Sequence, residues 1–250
     1  MKLPWTLLSL LSVLLPGFAI AQATAEQEIH SEYRITIVPT YPVSRKVFLT
    51  TYYGYVNIPS SKTNTYYVGA PLLVTYRPTP VVELMAGAFL VINDLKEGND
   101  NTEVRPLAGI KLNLPNDHHL NIFSWTRYEL RSFYYGDKTL NNVKNRLRNR
   151  IGIEFPLSKD AWAPKTFYGF TDFEMFYTIE KGYFDRFRER LGFGRVLSQH
   201  WRVELIYHMQ LLKQSKDLNP QWTDNIFRLN IKWTLAHKKH GPAHPVDVDD

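Results

Sequence analysis

The 250-residue chain has no cysteine. Disulfide staples and thiolate-held metals are therefore excluded, and packing and polar pairing must hold whatever fold it adopts. Beyond its opening segment it has no uninterrupted apolar run near the roughly 18–20 residues of a spanning helix. One-sided charge is also scarce. The 30 Lys and Arg face 24 Asp and Glu, for a formal net charge of +6, too mild an excess to point to nucleic acid. A glycine-rich phosphate loop and a metal-binding His/Glu motif are missing too. What the chain does have is aromatic side chains: 14% of residues, with 15 Tyr and 6 Trp.

The opening MKLPWTLLSLLSVLLPGFAIA places Lys2 before an apolar stretch and ends on Ala19 and Ala21 at an A-x-A site. This is the three-part pattern of a secretory signal peptide, residues 1–21, with cleavage expected before Gln22. An exported chain without spanning helices can still enter a membrane as a closed barrel.

From Lys46 onward the chain reads as alternating segments bounded by turn residues. VFLTTYYGYV, YYVGAPLLVTYR, VVELMAGAFLVI, EVRPLAGIKLNL and LNIFSWTRYELRSF form the first half. NRLRNRIGIEF, TFYGFTDFEMFYTI, FDRFRERLGFGRV, WRVELIYHMQLL and NIFRLNIKWTL form the second. In a strand, residues two apart share a face. One face of these strands collects residues such as Leu84, Ile110, Tyr128, Leu147, Leu191, Leu205 and Phe227. The other collects Arg127, Arg131, Arg146, Arg148, Arg150, Asp172, Glu174, Arg186, Arg188, Arg190, Arg202, Glu204 and Arg228. A soluble sandwich would turn the charged face to water; a small outer-membrane barrel turns it to the lumen and the apolar face to lipid. Strands at or above the 9–11 residues of a tilted span, aromatics near strand ends, and a rhythm of short turns (PTP, PNDH, LSQH) and long loops (NDLKEGNDN, KQSKDLNPQWTD) favour the barrel.

The expected fold is thus all-β, an antiparallel transmembrane barrel of about 10–12 strands. Residues 46–235 form it, residues 22–45 are an N-terminal segment, and 236–250 a polar tail. SEYRITIVPTYP (31–42) also looks extended, but an eleventh strand does not close a purely antiparallel ring. It is expected either to belong to a further pair or to lie at or inside the mouth. The arginine rows are read as a lumen charge network paired with Asp172 and Glu174, because unpaired buried charge is costly. Arg148 and Arg188 are expected on Glu174. Glu189 breaks the alternation and is expected near the rim.

The second half also carries R-x-R-x-R-x-G-x-E-x-P-L (Arg146, Arg148, Arg150, Gly152, Glu154, Pro156, Leu157), F-x-x-x-E-x-F (Phe170, Glu174, Phe176), F-D-R-x-R-x-x-x-G-x-G (Phe184, Asp185, Arg186, Arg188, Gly192, Gly194) and E-L-x-Y (Glu204, Leu205, Tyr207). In order and spacing these resemble the domain-of-unknown-function 2490 family over residues 120–235. That resemblance implies an exported bacterial outer-membrane β-barrel and no particular activity. The tail AHKKHGPAHPVDVDD departs from the pattern of barrels that end on an aromatic closing residue.

No catalytic, cofactor or metal residues stand out. Ser198 and His200 share a short turn, and His30 with Ser31 lies near the new N-terminus. Neither pair shows a nucleophile–base–orienter arrangement. His118 and His119 read as turn residues, His237, His240 and His244 as a solvated tail, and His208 as a polar lining residue. Two function classes follow. One is a structural barrel or small-solute pore whose basic lining favours small anionic solutes. The alternative is a barrel enzyme acting on lipid or envelope substrates. The expected partners are outer-membrane lipid and the barrel-assembly machinery, without nucleic acid or cofactor.

Overall fold

The computed structural model describes residues 29–59, 63–68, 73–95, 100–115, 120–136, 139–158 and 162–235. The expected signal peptide, His118, His119 and the histidine-bearing tail lie outside the described residues. The strands are β1 (His30–Pro42), β2 (Val47–Thr50), β3 (Tyr53–Asn57), β4 (Thr63–Val68), β5 (Leu73–Tyr76), β6 (Val82–Leu95), β7 (Asn101–Leu114), β8 (Asn121–Tyr135), β9 (Thr139–Pro156), β10 (Phe167–Thr178), β11 (Tyr183–Val196), β12 (Trp201–Leu212) and β13 (Gln221–Thr234). β2 and β3 pair with β1 in one continuous register, Thr40 with Thr50 and Tyr33 with Asn57. They are two lengths of a single stave. β4 and β5 likewise make one stave beside β6, although their registers differ: Val68 meets Leu90, whereas Val74 meets Ala86. The result is a closed, mixed barrel of eleven staves.

Closure comes from the segment whose place was open. β1 lies parallel to β13, with Arg34 beside Arg228 and Thr40 beside Thr234, and every other neighbouring pair is antiparallel. Eleven up-and-down staves leave the first and last pointing the same way, and a parallel ladder can still satisfy their backbone groups. The expected barrel boundary at residue 46 is corrected accordingly. The wall runs from His30 to Thr234, and residues 30–42 are a stave rather than a segment in the mouth.

The chain therefore enters at one mouth, termed N-terminal, and leaves at the other, termed C-terminal. The expected division into short turns and long loops does not hold. Ten residues separate β9 from β10 at the C-terminal mouth, the side of the turns read as short, while only three separate β8 from β9 at the opposite mouth. Strands extend into segments that looked like loops: β6 reaches Leu95, and β7 begins at Asn101.

Side chains alternate across the wall as strand geometry requires. Inside, Val38, Phe48, Phe89, Leu107, Phe123 and Trp125 belong to one apolar cluster against β1, β2 and β5–β8. The inner faces of β8–β13 are charged. The two halves meet where the guanidinium groups of Arg127 and Arg150 lie 4.9 and 5.0 Å from the Trp125 ring centre. Glycines make room for inner aromatics here. A Cβ on Gly152 would stand 2.8 Å from Phe123 Cζ, while Phe170 and Tyr168 occupy the equivalent space over Gly192 and Gly194. Three glycines of the motifs are thus notches in the wall that receive rings.

Candidate functional site: the charged barrel interior

All thirteen residues of the expected network project inward, and most are buried. Register places Glu129 opposite Arg146, Glu174 opposite Arg150 and Asp172 opposite Arg190. Glu129, with no solvent exposure, accepts from Arg127 Nε at 2.6 Å and Arg146 Nε at 2.8 Å, with Arg148 Nη1 at 3.5 Å. Glu174 accepts from Arg148 Nη2 at 2.7 Å and Arg150 Nε at 3.2 Å. Asp172 accepts from Arg190 Nε at 2.7 Å. Arg188 donates to Gln210 Oε1 at 2.8 Å. Arg148 bears on Glu174 as expected, with Arg150 opposite that carboxylate on β9 and Arg188 opposite it on β11.

Towards the C-terminal mouth Glu204 accepts from Tyr168 Oη at 2.6 Å and Asn230 Nδ2 at 2.9 Å, with Lys232 Nζ at 2.8 Å. Arg202 is half-buried there, 5.7 Å from the Trp162 ring. Towards the N-terminal mouth Glu103 takes Arg105 Nε at 2.8 Å and Arg131 Nε at 2.6 Å, and Glu32 takes Arg34 Nε at 2.6 Å. Arg228 faces inward beside Arg34 in the β1–β13 ladder. Glu32 and Arg34 were missed because the sequence left the place of residues 31–42 open, as a further strand or a segment at the mouth. Tyr168 and Phe176 were missed although they share strand parity with Asp172 and Glu174, the one signal that could have found them.

Two vestibules open at the mouths, of about 410 Å³ at the C-terminal end and about 280 Å³ at the N-terminal end. Between them Trp125, Arg127, Arg148, Arg150 and Glu174 are each 1–2% exposed. This layer of rings and ion pairs fills the lumen, as side chains do in small barrels.

Glu189 is corrected as well. It sits at the middle of β11 on the outer wall, half-buried between Phe173 and Met209, and not at the rim. Ser198 Oγ accepts from the backbone amides of His200 (3.1 Å) and Trp201 (3.2 Å), and His200 Nδ1 lies 3.0 Å from the Thr234 carbonyl oxygen. The pair caps a turn. Exposed His30 stands at the start of β1. No group of three or more His, Asp or Glu among the described residues could hold a metal.

His208 stands apart. It is 1% exposed and lies across from Arg190 and Ile226, and among the described residues neither ring nitrogen meets a hydrogen-bond partner. A buried polar group without a partner carries a desolvation cost, which an apolar group of similar shape avoids. His208→Phe is therefore expected to leave stability unchanged or raise it by about 1–3 kcal/mol, measured as the urea midpoint of the folded barrel. A loss of more than about 1 kcal/mol would show that the imidazole is held by a partner.

A family model described as "Protein of unknown function (DUF2490)" matches residues 60–221, from β4 into the first residue of β13. The chain belongs to this family. The DUF2490 match begins well before residue 120, where the motif resemblance starts, and ends before most of β13. It contains Arg146, Arg148, Arg150, Gly152, Glu174, Gly192, Gly194 and Glu204, which in this barrel are network members and ring notches. The β1 stave and the whole parallel seam lie outside it. No curated protein and no solved structure matches the chain.

Proposed function

We propose that this DUF2490 protein is a bacterial outer-membrane β-barrel whose lumen is closed by its own ion pairs, a membrane-embedded structural protein rather than an open pore. The observation that carries the reading is the inverted partition of side chains. Buried positions include Arg127, Arg148, Arg150, Glu129, Glu174 and Asp172, while Ile35, Leu84, Ile110, Leu147, Leu191 and Leu205 are exposed on the outer wall. In water such an arrangement sacrifices the hydrophobic term and desolvates charge. In lipid the outer wall is matched to its solvent.

Three further features support it. β6–β13 run to between 12 and 18 residues, enough for a tilted span of roughly 9–11. Outward aromatics stand at both rims. Trp201 stacks on Trp233 at 5.2 Å at the C-terminal mouth, and Tyr177 meets Phe184 at 5.2 Å at the other. A shallow apolar depression of about 790 Å³ on the outer wall, lined by Tyr33, Phe155, Leu191, Phe193, Leu205 and Phe227, suits acyl chains. On this reading residues 1–21 direct export, the barrel-assembly machinery inserts the chain, and outer-membrane lipid surrounds it. The filled layer between the vestibules favours the closed barrel over an anion-conducting one.

The test is fractionation of the expressed full chain together with planar-bilayer recording of the refolded protein. The expected result is recovery with outer membranes, a heat-modifiable folded band, and no steady conductance. Recovery in the soluble periplasm overturns the membrane reading, and a steady anion-selective current overturns the closed lumen.

A further inference from the structure

We infer that the N-terminal vestibule is a binding site for a small polyanionic oxyanion, a phosphate or pyrophosphate group, held by Arg186 with Arg131 and Arg188. This goes beyond the reading above and holds whether or not the lumen conducts.

The vestibule has six arginines and two glutamates in its lining. The glutamates are already engaged, Glu32 by Arg34, and Glu103 by Arg105 and Arg131. Arg146 is bound to Glu129 and Arg188 to Gln210. The Arg186 side chain makes no hydrogen bond or ion pair among the described residues. Its guanidinium carbon lies 5.9 Å from the Phe176 ring centre. Two carboxylates lie nearby, but both have other partners. Asp185 is bridged by Lys181 Nζ at 2.7 Å, and Asp224 accepts from Gln210 and from Thr223 Oγ1 at 2.7 Å.

The wall itself aims Arg186. The β10–β11 register slips between Phe176 and Tyr177, so Phe176 pairs with Arg186 and Tyr177 with Phe184, and Asp185 is the extra residue. Arg186 keeps the inward parity of Arg188 and Arg190, and the bulge beyond it turns Phe184 to the outer wall. Around Phe176 the guanidinium carbons of Arg146, Arg148, Arg186 and Arg188 all lie within 5.9 Å of one ring centre. Like charges held this close are stabilised by a shared counter-anion. The planar fork of arginine matches the oxygen geometry of phosphate, and charge-assisted bonds of this kind are the strong ones. A volume of about 280 Å³ admits a phosphate or pyrophosphate group and excludes a polymer.

The phosphate could belong to a soluble molecule or to a lipid headgroup at the membrane surface, so the experiment separates the two. The full mature chain, folded in an uncharged detergent, is titrated calorimetrically with inorganic pyrophosphate and, in a parallel arm, with short-chain phosphatidic acid. Saturable one-site binding is expected in at least one arm. Comparable affinities in the two arms, or tighter pyrophosphate binding, point to a solute, and binding confined to the lipid arm points to a headgroup. Arg186→Gln and Arg131→Gln are each expected to weaken binding about tenfold, the scale of one lost charged hydrogen bond. Arg195→Gln, which removes the same charge from the exposed outer wall, is expected to leave it unchanged. Arg186→Gln orphans no carboxylate, and Arg131→Gln leaves Glu103 with Arg105, so both variants should fold. That is checked by the heat resistance of the folded band. No saturable binding in either arm, or equal weakening by Arg186→Gln and Arg195→Gln, overturns the site.

Discussion

Glu174→Ala is expected to cost the folded barrel about 3–5 kcal/mol, the scale of breaking a buried ion pair from one side. The carboxylate lies 1% exposed at the centre of the filled layer and accepts from both Arg148 and Arg150. Without it Arg148 keeps a more distant contact with Glu129 at 3.5 Å, and the Arg150–Asp172 pair stands at 3.9 Å. Two guanidinium groups would then share a confined space with too little countercharge. The measurement is the temperature at which the folded band disappears on a semi-native gel, together with the urea midpoint. Leu147→Ala, one position from Arg148 but on the outer wall, removes no buried charge and is expected to be milder. If Glu174→Ala unfolds within about 1 kcal/mol of the parent, at the level of an exposed surface pair, the interior network does not stabilise the barrel.

The second large effect belongs to the outer wall. Leu147 sits in the middle of β9 with 42% of its surface exposed, between Tyr128 on β8 and Tyr177 on β10. If that wall meets hydrocarbon, Leu147→Arg, beside the rim aromatic Tyr177, should cost more than about 1 kcal/mol and at most the roughly 2–4 kcal/mol of the midplane, and lower the refolding yield into lipid vesicles. In a water-facing wall the same substitution would fall within about 0.5 kcal/mol of the parent, as surface changes usually do. Arg148→Leu is the companion. It leaves Glu174 with Arg150, and Glu129 with Arg127 and Arg146, so each carboxylate retains a partner. Vesicle refolding of Leu147→Arg at the parental yield would show that the outer wall does not face lipid, whatever Arg148→Leu does.

The two substitutions differ by one position and fall on opposite sides of the wall, a contrast legible in the sequence. Period-two alternation assigns Arg146, Arg148 and Arg150 to one face, and Leu147, Ile151 and Phe155 to the other, before any coordinate is known. The motif glycines were legible only as letters. That Gly152 takes the Phe123 ring and Gly192 that of Phe170 depends on which strands become neighbours and at what register. Local pattern does not contain this information.

By itself, then, the sequence determined the strand class, the parity of each strand, and the concentration of cations on one face of the second half. These follow from the geometry of an extended chain, in which each residue's side is set by its immediate neighbours. Tertiary structure decided the rest. It seated β1 against β13 in a parallel seam and made the count eleven. It set Arg148 and Arg150 on Glu174, set Glu189 at mid-wall, and turned Phe184 outward through a one-residue bulge. Each of these is a long-range register. Pairings between distant segments are selected by the closure of the whole ring, and alternation within one segment is the same whichever partner it finds.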